Sequence, residues 1–123
     1  MPVRSLTSSV LKWPDVRVVD AAVRAWAARV VARRTDVVRI GYFGSYARGD
    51  WGVGSDVDLI IVADQCGEPF ERRSLGWDTA GLPVPADVVV YSRSEWDAGR
   101  GGRRFAVMLD AQTVWVYVRD ART

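Results

Sequence analysis

GYFGSYARGDWGVGSDVDLIIVA, residues 41–63, decides how the chain is read. Gly44-Ser45 is followed by ten residues and then by Asp56-Val57-Asp58, which opens an apolar run. Strand residues two apart point to the same face, so Asp56 and Asp58 present two carboxylates side by side. Leu59, Ile60, Ile61 and Val62 continue as a strand apolar on both faces, which places it centrally in a sheet. Two carboxylates on one edge of a packed sheet repel each other unless a cation lies between them. Hard divalent cations such as Mg2+ prefer oxygen ligands of this kind. The upstream Gly-Ser turn can bring a hydroxyl and backbone N–H groups close to a phosphate. Together these features point to metal-assisted chemistry on a nucleotide.

The flanking sequence supplies a frame for this motif. Pro14-Asp15 is a helix start, and Val16, Val19, Val23, Trp26 and Val30 then recur at helical spacing as one apolar stripe. Arg17 and Arg24 fall on the opposite side, and Arg33 and Arg34 suit the negative end of the helix dipole. Residues 1–13 read as a loosely defined lead-in. Val37 to Phe43 reads as the first strand, Ser45 to Arg48 as a short helix, and Asp56 to Ala63 as the second strand. GDWGVGS between them is rich in glycine and suits a mobile loop over a bound nucleotide. Glu68 to Trp77 is a short helix or turn, and GLPVP is a breaker. Ala86 to Tyr91 is the third strand, with Ser92 or Ser94 as cap of a following helix. Gly99, Gly101 and Gly102 interrupt that helix before Arg103 to Leu109, and Thr113 to Val118 closes the pattern as a last strand. Helices and strands alternating in this way imply an α/β (α+β) sheet of about four strands with helices against it.

Composition removes several classes of chemistry. The chain of 123 residues has no histidine, sixteen arginines and one lysine, Lys12. Without histidine there is no Ser-His or Cys-His nucleophile and no His metal site or general base. Any proton acceptor is a carboxylate, a water or a substrate group. Gly-Lys-Ser/Thr is absent, so a Walker P-loop is excluded, and Gly52-Val53-Gly54 does not continue into GxGxxG. Cys66 is the only cysteine, which excludes an internal disulfide and a Cys-based zinc site, and it reads as a passive packed thiol. The net charge of +2 is too small to argue for nucleic-acid binding on its own. There is no apolar run long enough for a membrane span and no signal-peptide core, so the expected location is cytoplasmic. The length fits one domain over residues 1–123, with the motif-bearing core at about 37–118.

The Gly44-Ser45, ten-residue, Asp56-x-Asp58 pattern resembles the DNA polymerase beta-like nucleotidyltransferase superfamily, whose simplest members carry these residues at this spacing. Ala47-Arg48-Gly49 also matches small bacterial members, and Asp87 in ADVVVYS fits the family's third carboxylate. A lone Gly-Ser is usually a turn, and a lone Asp-x-Asp is usually a solvated strand face. Here the spacing, the IIV run and a third strand Asp are separate requirements met together. The likeness is nearest to the minimal nucleotidyltransferase (MNT) antitoxins that are encoded beside HEPN toxins. It implies a mixed sheet rather than an all-parallel one.

The resemblance also implies roles. Asp56, Asp58 and Asp87 would be the catalytic carboxylates and the ligands of two Mg2+ ions, with Mn2+ as the alternative ion and ATP as substrate. Asp87 would lie nearest the attacking hydroxyl and accept its proton; its plainer reading is a strand-edge Asp. Ser45 would donate to a phosphate oxygen, and a side chain at Gly44 would block that approach. Arg48 would pair with phosphate or brace the carboxylates, and a structural Arg is the equal alternative. Arg100, Arg103 and Arg104 form a basic cluster, read either as solvated surface or as a contact for an acidic partner or tRNA. Trp51, in the glycine-rich loop, could stack on a base or dock a partner.

The functional expectation is an antitoxin that adenylylates (AMPylates) a tyrosine hydroxyl of a HEPN-type toxin. Relatives that modify antibiotics or process tRNA add a second domain for the acceptor, and the chain stops soon after the sheet. The alternatives are a small-molecule or RNA nucleotidyltransferase completed by a separate helical subunit, and a binding antitoxin without catalysis.

Overall fold

Asp15 sets the start of the chain's first helix. Its backbone is extended, and its carboxylate accepts from the Val18 N–H at 3.1 Å, satisfying a donor that the first turn leaves free. In the computed structural model, which describes residues 13–99 and 102–119, this helix, α1, spans Val16–Arg33. Val19, Val23, Trp26 and Ala27 are its buried stripe, while Arg17 and Arg24 face solvent as their spacing implies. Most of the expected lead-in, residues 1–12, lies outside the described residues.

The strands are β1 (Val37–Phe43), β2 (Val57–Ala63), β3 (Ala86–Ser92) and β4 (Val114–Val118). Their order in the sheet is β3-β2-β1-β4. β1 runs antiparallel to β2 and to β4, and β2 runs parallel to β3, so the sheet is mixed. Between β1 and β2 a single helical turn, α2, spans Ser45–Arg48; a 3-10 helix at Phe70–Gly76 lies in the β2–β3 crossover. After β3 come α3 (Arg93–Asp97) and α4 (Arg103–Gln112).

β2 is central, and Leu59, Ile60, Ile61 and Val62 are completely buried. At about 1.5–3 kcal/mol per fully buried aliphatic side chain, this run is a main source of the sheet's stability. One sheet face packs Ile40, Leu59 and Ile61 against the α1 stripe. The other packs Ile60 and Tyr91 against Leu109 of α4, with Phe43, Trp96 and Trp115 around them. The motif-bearing ends of β1 and β2 thus emerge from a sheet covered on both sides.

Two boundaries differ from the sequence expectation for identifiable reasons. β2 begins at Val57 rather than Asp56. The β2–β3 ladder starts at Val57 opposite Ala86, and the preceding Pro85 has no N–H with which to extend it. β4 begins at Val114 rather than Thr113, because Thr113 is taken up in ending α4: its N–H and its hydroxyl both donate to the Leu109 carbonyl, at 3.0 and 2.5 Å. α4 therefore continues three residues past Leu109 and brings Gln112 to the same end of the sheet as the motif. The cap after β3 is Ser92, in a reciprocal box with Glu95. Glu95 also forms a two-pronged ion pair with the buried Arg73, at 2.6 and 3.1 Å.

Candidate active site

The sheet's register assembles the site. Antiparallel pairing sets Phe43, the last residue of β1, opposite Asp58. Parallel pairing sets Asp58 beside Asp87. Asp58 therefore lies between the exit of β1 on one side and a second carboxylate on the other. Asp56 sits just before β2 and is exposed, as is Asp87, whereas Asp58 is half-buried.

Gly44 follows Phe43 with φ 79° and ψ −149°, a region essentially reserved for glycine. A Cβ built there would collide with Asp58 Oδ2. The first demand on Gly44 is thus an intramolecular one: it lets the turn pass against the Asp58 carboxylate. The expected role of clearing a phosphate path is a separate matter. Ser45 then opens α2, whose one turn is closed by Arg48 N–H to Gly44 C=O and Gly49 N–H to Ser45 C=O, both 2.9 Å. Gly49, at φ 89°, ends it in the left-handed conformation.

Beneath this turn Tyr46 is buried and donates its hydroxyl to the Pro14 carbonyl at 2.9 Å. Trp51 stacks on the Tyr46 ring with centroids 5.6 Å apart and planes 8° apart. That contact commits one face of the Trp51 ring to the protein's own packing. The glycine-rich loop is likewise tied down. Gly52 N–H donates to Ser55 Oγ at 2.8 Å, Ser55 N–H to Gly52 C=O at 3.0 Å, and the Trp13 indole to Ser55 C=O at 3.2 Å.

Negative charge converges on Asp58. Its carboxyl is held above the usual carboxylate range, first by burial, then by the Asp87 and Asp56 charges, with Arg48 opposing. Arg48 makes an exposed ion pair with Asp50 at 3.1 Å, a weak contact that a phosphate could replace. Among the described residues no set of three acidic, Cys or His side chains forms a ready-made cage for an ion. The donor set nonetheless fits a hard divalent cation. The negative charges of Asp56 and Asp87 outweigh the opposing Arg48 at Asp58, and Mg2+ commonly uses one or two carboxylates and completes its shell with water and substrate phosphates.

Gly44, Ser45, Arg48, Asp56 and Asp58 form one wall of an open cleft of about 480 Å3. Asp87 adjoins Asp58 but does not line this cleft. The remaining wall, which the sequence reading missed, is Phe43 with Met108, Leu109 and Gln112 of α4. No local motif marks these α4 residues; the β1–β4 pairing that brings them here is visible only in the fold. Of the expected basic cluster, Arg100 and the side chain of Arg103 lie outside the described residues, and Arg104 is exposed. Cys66 is half-buried with its thiol pushed up chiefly by burial, as a packed thiol should be.

Residues 24–108 match the family of nucleotidyltransferase domains, more than half of the chain. The chain belongs to the nucleotidyltransferase domain family. Among the solved structures that match, two illustrate the shared nucleotidyltransferase fold. An inferred nucleotidyltransferase from Sulfolobus solfataricus is 20% identical, with a TM-score of 0.59 over 85% of this chain and 84% of that one. A toxin-antitoxin crystallised with AMP-PNP is 16% identical, with a TM-score of 0.58 over 80% of this chain and 76% of that one. No curated protein matches the chain. Among the described residues no helix is long and apolar enough to cross a membrane.

Proposed function

We propose that this nucleotidyltransferase domain is a minimal, MNT-type antitoxin that moves AMP from ATP onto a tyrosine hydroxyl of a HEPN-type toxin. The observation that carries the reading is the placement of Asp58 between Asp87 and the Gly44-Ser45 turn. It sets two carboxylates, at the end of the sheet where β1 leaves it, against a turn whose hydroxyl and N–H groups can donate to a phosphate. The fold shared with a toxin-antitoxin crystallised with AMP-PNP supports the same choice.

Asp56, Asp58 and Asp87 would hold two divalent ions. Such ions would neutralise the triphosphate and acidify the attacking hydroxyl. Ser45 Oγ donates to a phosphate oxygen, and Arg48 exchanges Asp50 for phosphate. The tyrosine oxygen forms a bond to Pα as the Pα–O bond to the β-phosphate breaks. Pyrophosphate departs with the electron pair, and Asp87 takes the hydroxyl proton and passes it to solvent. Asp56 and Asp87 are exposed, so an acceptor carried on another protein reaches them from outside. A tyrosine hydroxyl, with a pKa of about 10, needs only a modest shift to become nucleophilic. The reading places the chain, as one domain, in the cytoplasm with its toxin.

The test is intact-mass spectrometry of the helical protein encoded beside this chain, mixed with the chain, ATP and Mg2+. A mass gain of one or more AMP groups, mapped to a tyrosine, is the expected result. A partner that stays unmodified yet is neutralised in a stable complex would replace catalysis with plain binding.

A further inference from the structure

The two walls of the cleft differ in chemistry. One carries Ser45, Arg48 and the carboxylates; the other carries Phe43, Met108 and Gln112 and has no charge of its own. The second wall is also the carbonyl end of α4. Gln112 is the last residue of that helix, and its last turn holds no basic residue to offset the partial negative charge there. A phosphate is unwelcome at such an end, because the partial negative charge of the helix terminus repels it. An uncharged ring bearing an N–H donor suits it. Met108 is 46% exposed, a flexible thioether turned to solvent at the cleft, and Phe43 beside it is half-buried. Both offer apolar surface to a flat ring.

We propose that the α4 wall is the nucleobase subsite: the base lies against Met108 and Phe43, and Gln112 reads its edge. The inference rests on the cleft being a nucleotide site. With the phosphates held at Ser45 and the carboxylates, the base is the part of the nucleotide left to meet α4. The Gln112 amide can accept from an exocyclic amino group and donate to a neighbouring ring nitrogen, the pairing that glutamine makes with the N6 and N7 edge of adenine. The partial negative charge of the helix end acts in the same sense: it favours a 6-amino group and disfavours a 6-oxo group. The α4 wall therefore selects ATP over its 6-oxo counterpart ITP.

Calorimetric titration of the whole chain with Mg2+ and ATP, ITP or inorganic tripolyphosphate tests this. ATP should bind about tenfold or more tighter than ITP, the discrimination expected of an amide reading a base edge. Gln112→Ala should lose most of that difference, leaving only the smaller part due to the helix end, and should leave tripolyphosphate binding unchanged. Met108→Ala should weaken ATP and ITP alike, again sparing tripolyphosphate. Both positions are exposed, so the variants should fold, and an unchanged thermal midpoint checks that. If ATP and ITP bind equally well and neither variant changes anything, while tripolyphosphate still binds with Mg2+, the base subsite is overturned and the nucleotide site stands. If tripolyphosphate and ATP both fail to bind, the nucleotide site falls, and the subsite with it.

Discussion

Gly44 is packed so closely on Asp58 that a single added carbon would strike the Asp58 carboxylate, and its backbone occupies a region that other residues avoid. Gly44→Ala therefore faces two penalties at once. The conformational strain alone is about 1–3 kcal/mol. The variant should lose stability by at least that amount in urea unfolding, and should lose transfer activity beyond what its unfolded fraction explains, because Asp58 must turn away to make room. A variant as stable and active as the parent would show that the turn and the carboxylate are independent.

Asp58→Asn should leave the metal-free protein as stable as the parent, or more stable, at neutral pH. The parent's Asp58 carboxyl is raised by burial and by Asp87 and Asp56, so ionising it works against the fold. For a carboxyl raised in this way, protonation favours folding: the gain is complete below its unfolded value of about 3.9 and is lost as pH rises through the higher folded value. The advantage of the Asn variant should therefore shrink as pH falls into the acid range. Thermal melts from neutral to acid pH in EDTA read this directly. A variant that melts well below the parent at neutral pH would make Asp58 a structural residue.

Trp51→Ala should destabilise the chain through loss of its packing on Tyr46, while Trp51→Phe keeps a ring in place and recovers most of the loss. Neither should change nucleotide affinity by more than a few-fold once folding is allowed for. A large, selective loss of ATP binding in both would return Trp51 to the site as a base-stacking ring.

Arg73 and Glu95 join the crossover after β2 to the cap after β3, and Arg73 also donates to the Val90 and Glu68 carbonyls. Glu95→Ala leaves a buried guanidinium without its main counter-charge. It should cost about 3 kcal/mol, the lower end for breaking a buried pair, because Glu95 keeps some contact with water. β3 carries Asp87 at its other end, so the folded fraction should still bind ATP with Mg2+. Denaturant titration followed by binding at low temperature separates the two effects.

How much could be read from the sequence followed from how local each signal is. β1 is bounded by Val37 and Phe43 as the pattern implied, because Gly44 leaves it through a backbone that no strand continues. Asp58 and Asp87 were legible as separate strand residues, and only the parallel register made them neighbours. Asp56 was expected inside β2; Pro85, just before the facing strand, keeps it outside. The α4 wall was not legible, since Met108 and Gln112 carry no motif and owe their place to β4 returning beside β1. The packing of Trp51 was not legible, because a tryptophan among glycines looks unattached until Tyr46, five residues earlier, is seen beneath it.

The central claim is that the Asp58 cluster handles a triphosphate only with a divalent cation between them. Calorimetric titration of ATP into the full chain, in Mg2+ and in EDTA, measures this most directly. The expected result is clear binding with Mg2+, little or none in EDTA, and loss of the Mg2+ effect in Asp58→Asn. Equal affinity in Mg2+ and EDTA would contradict it.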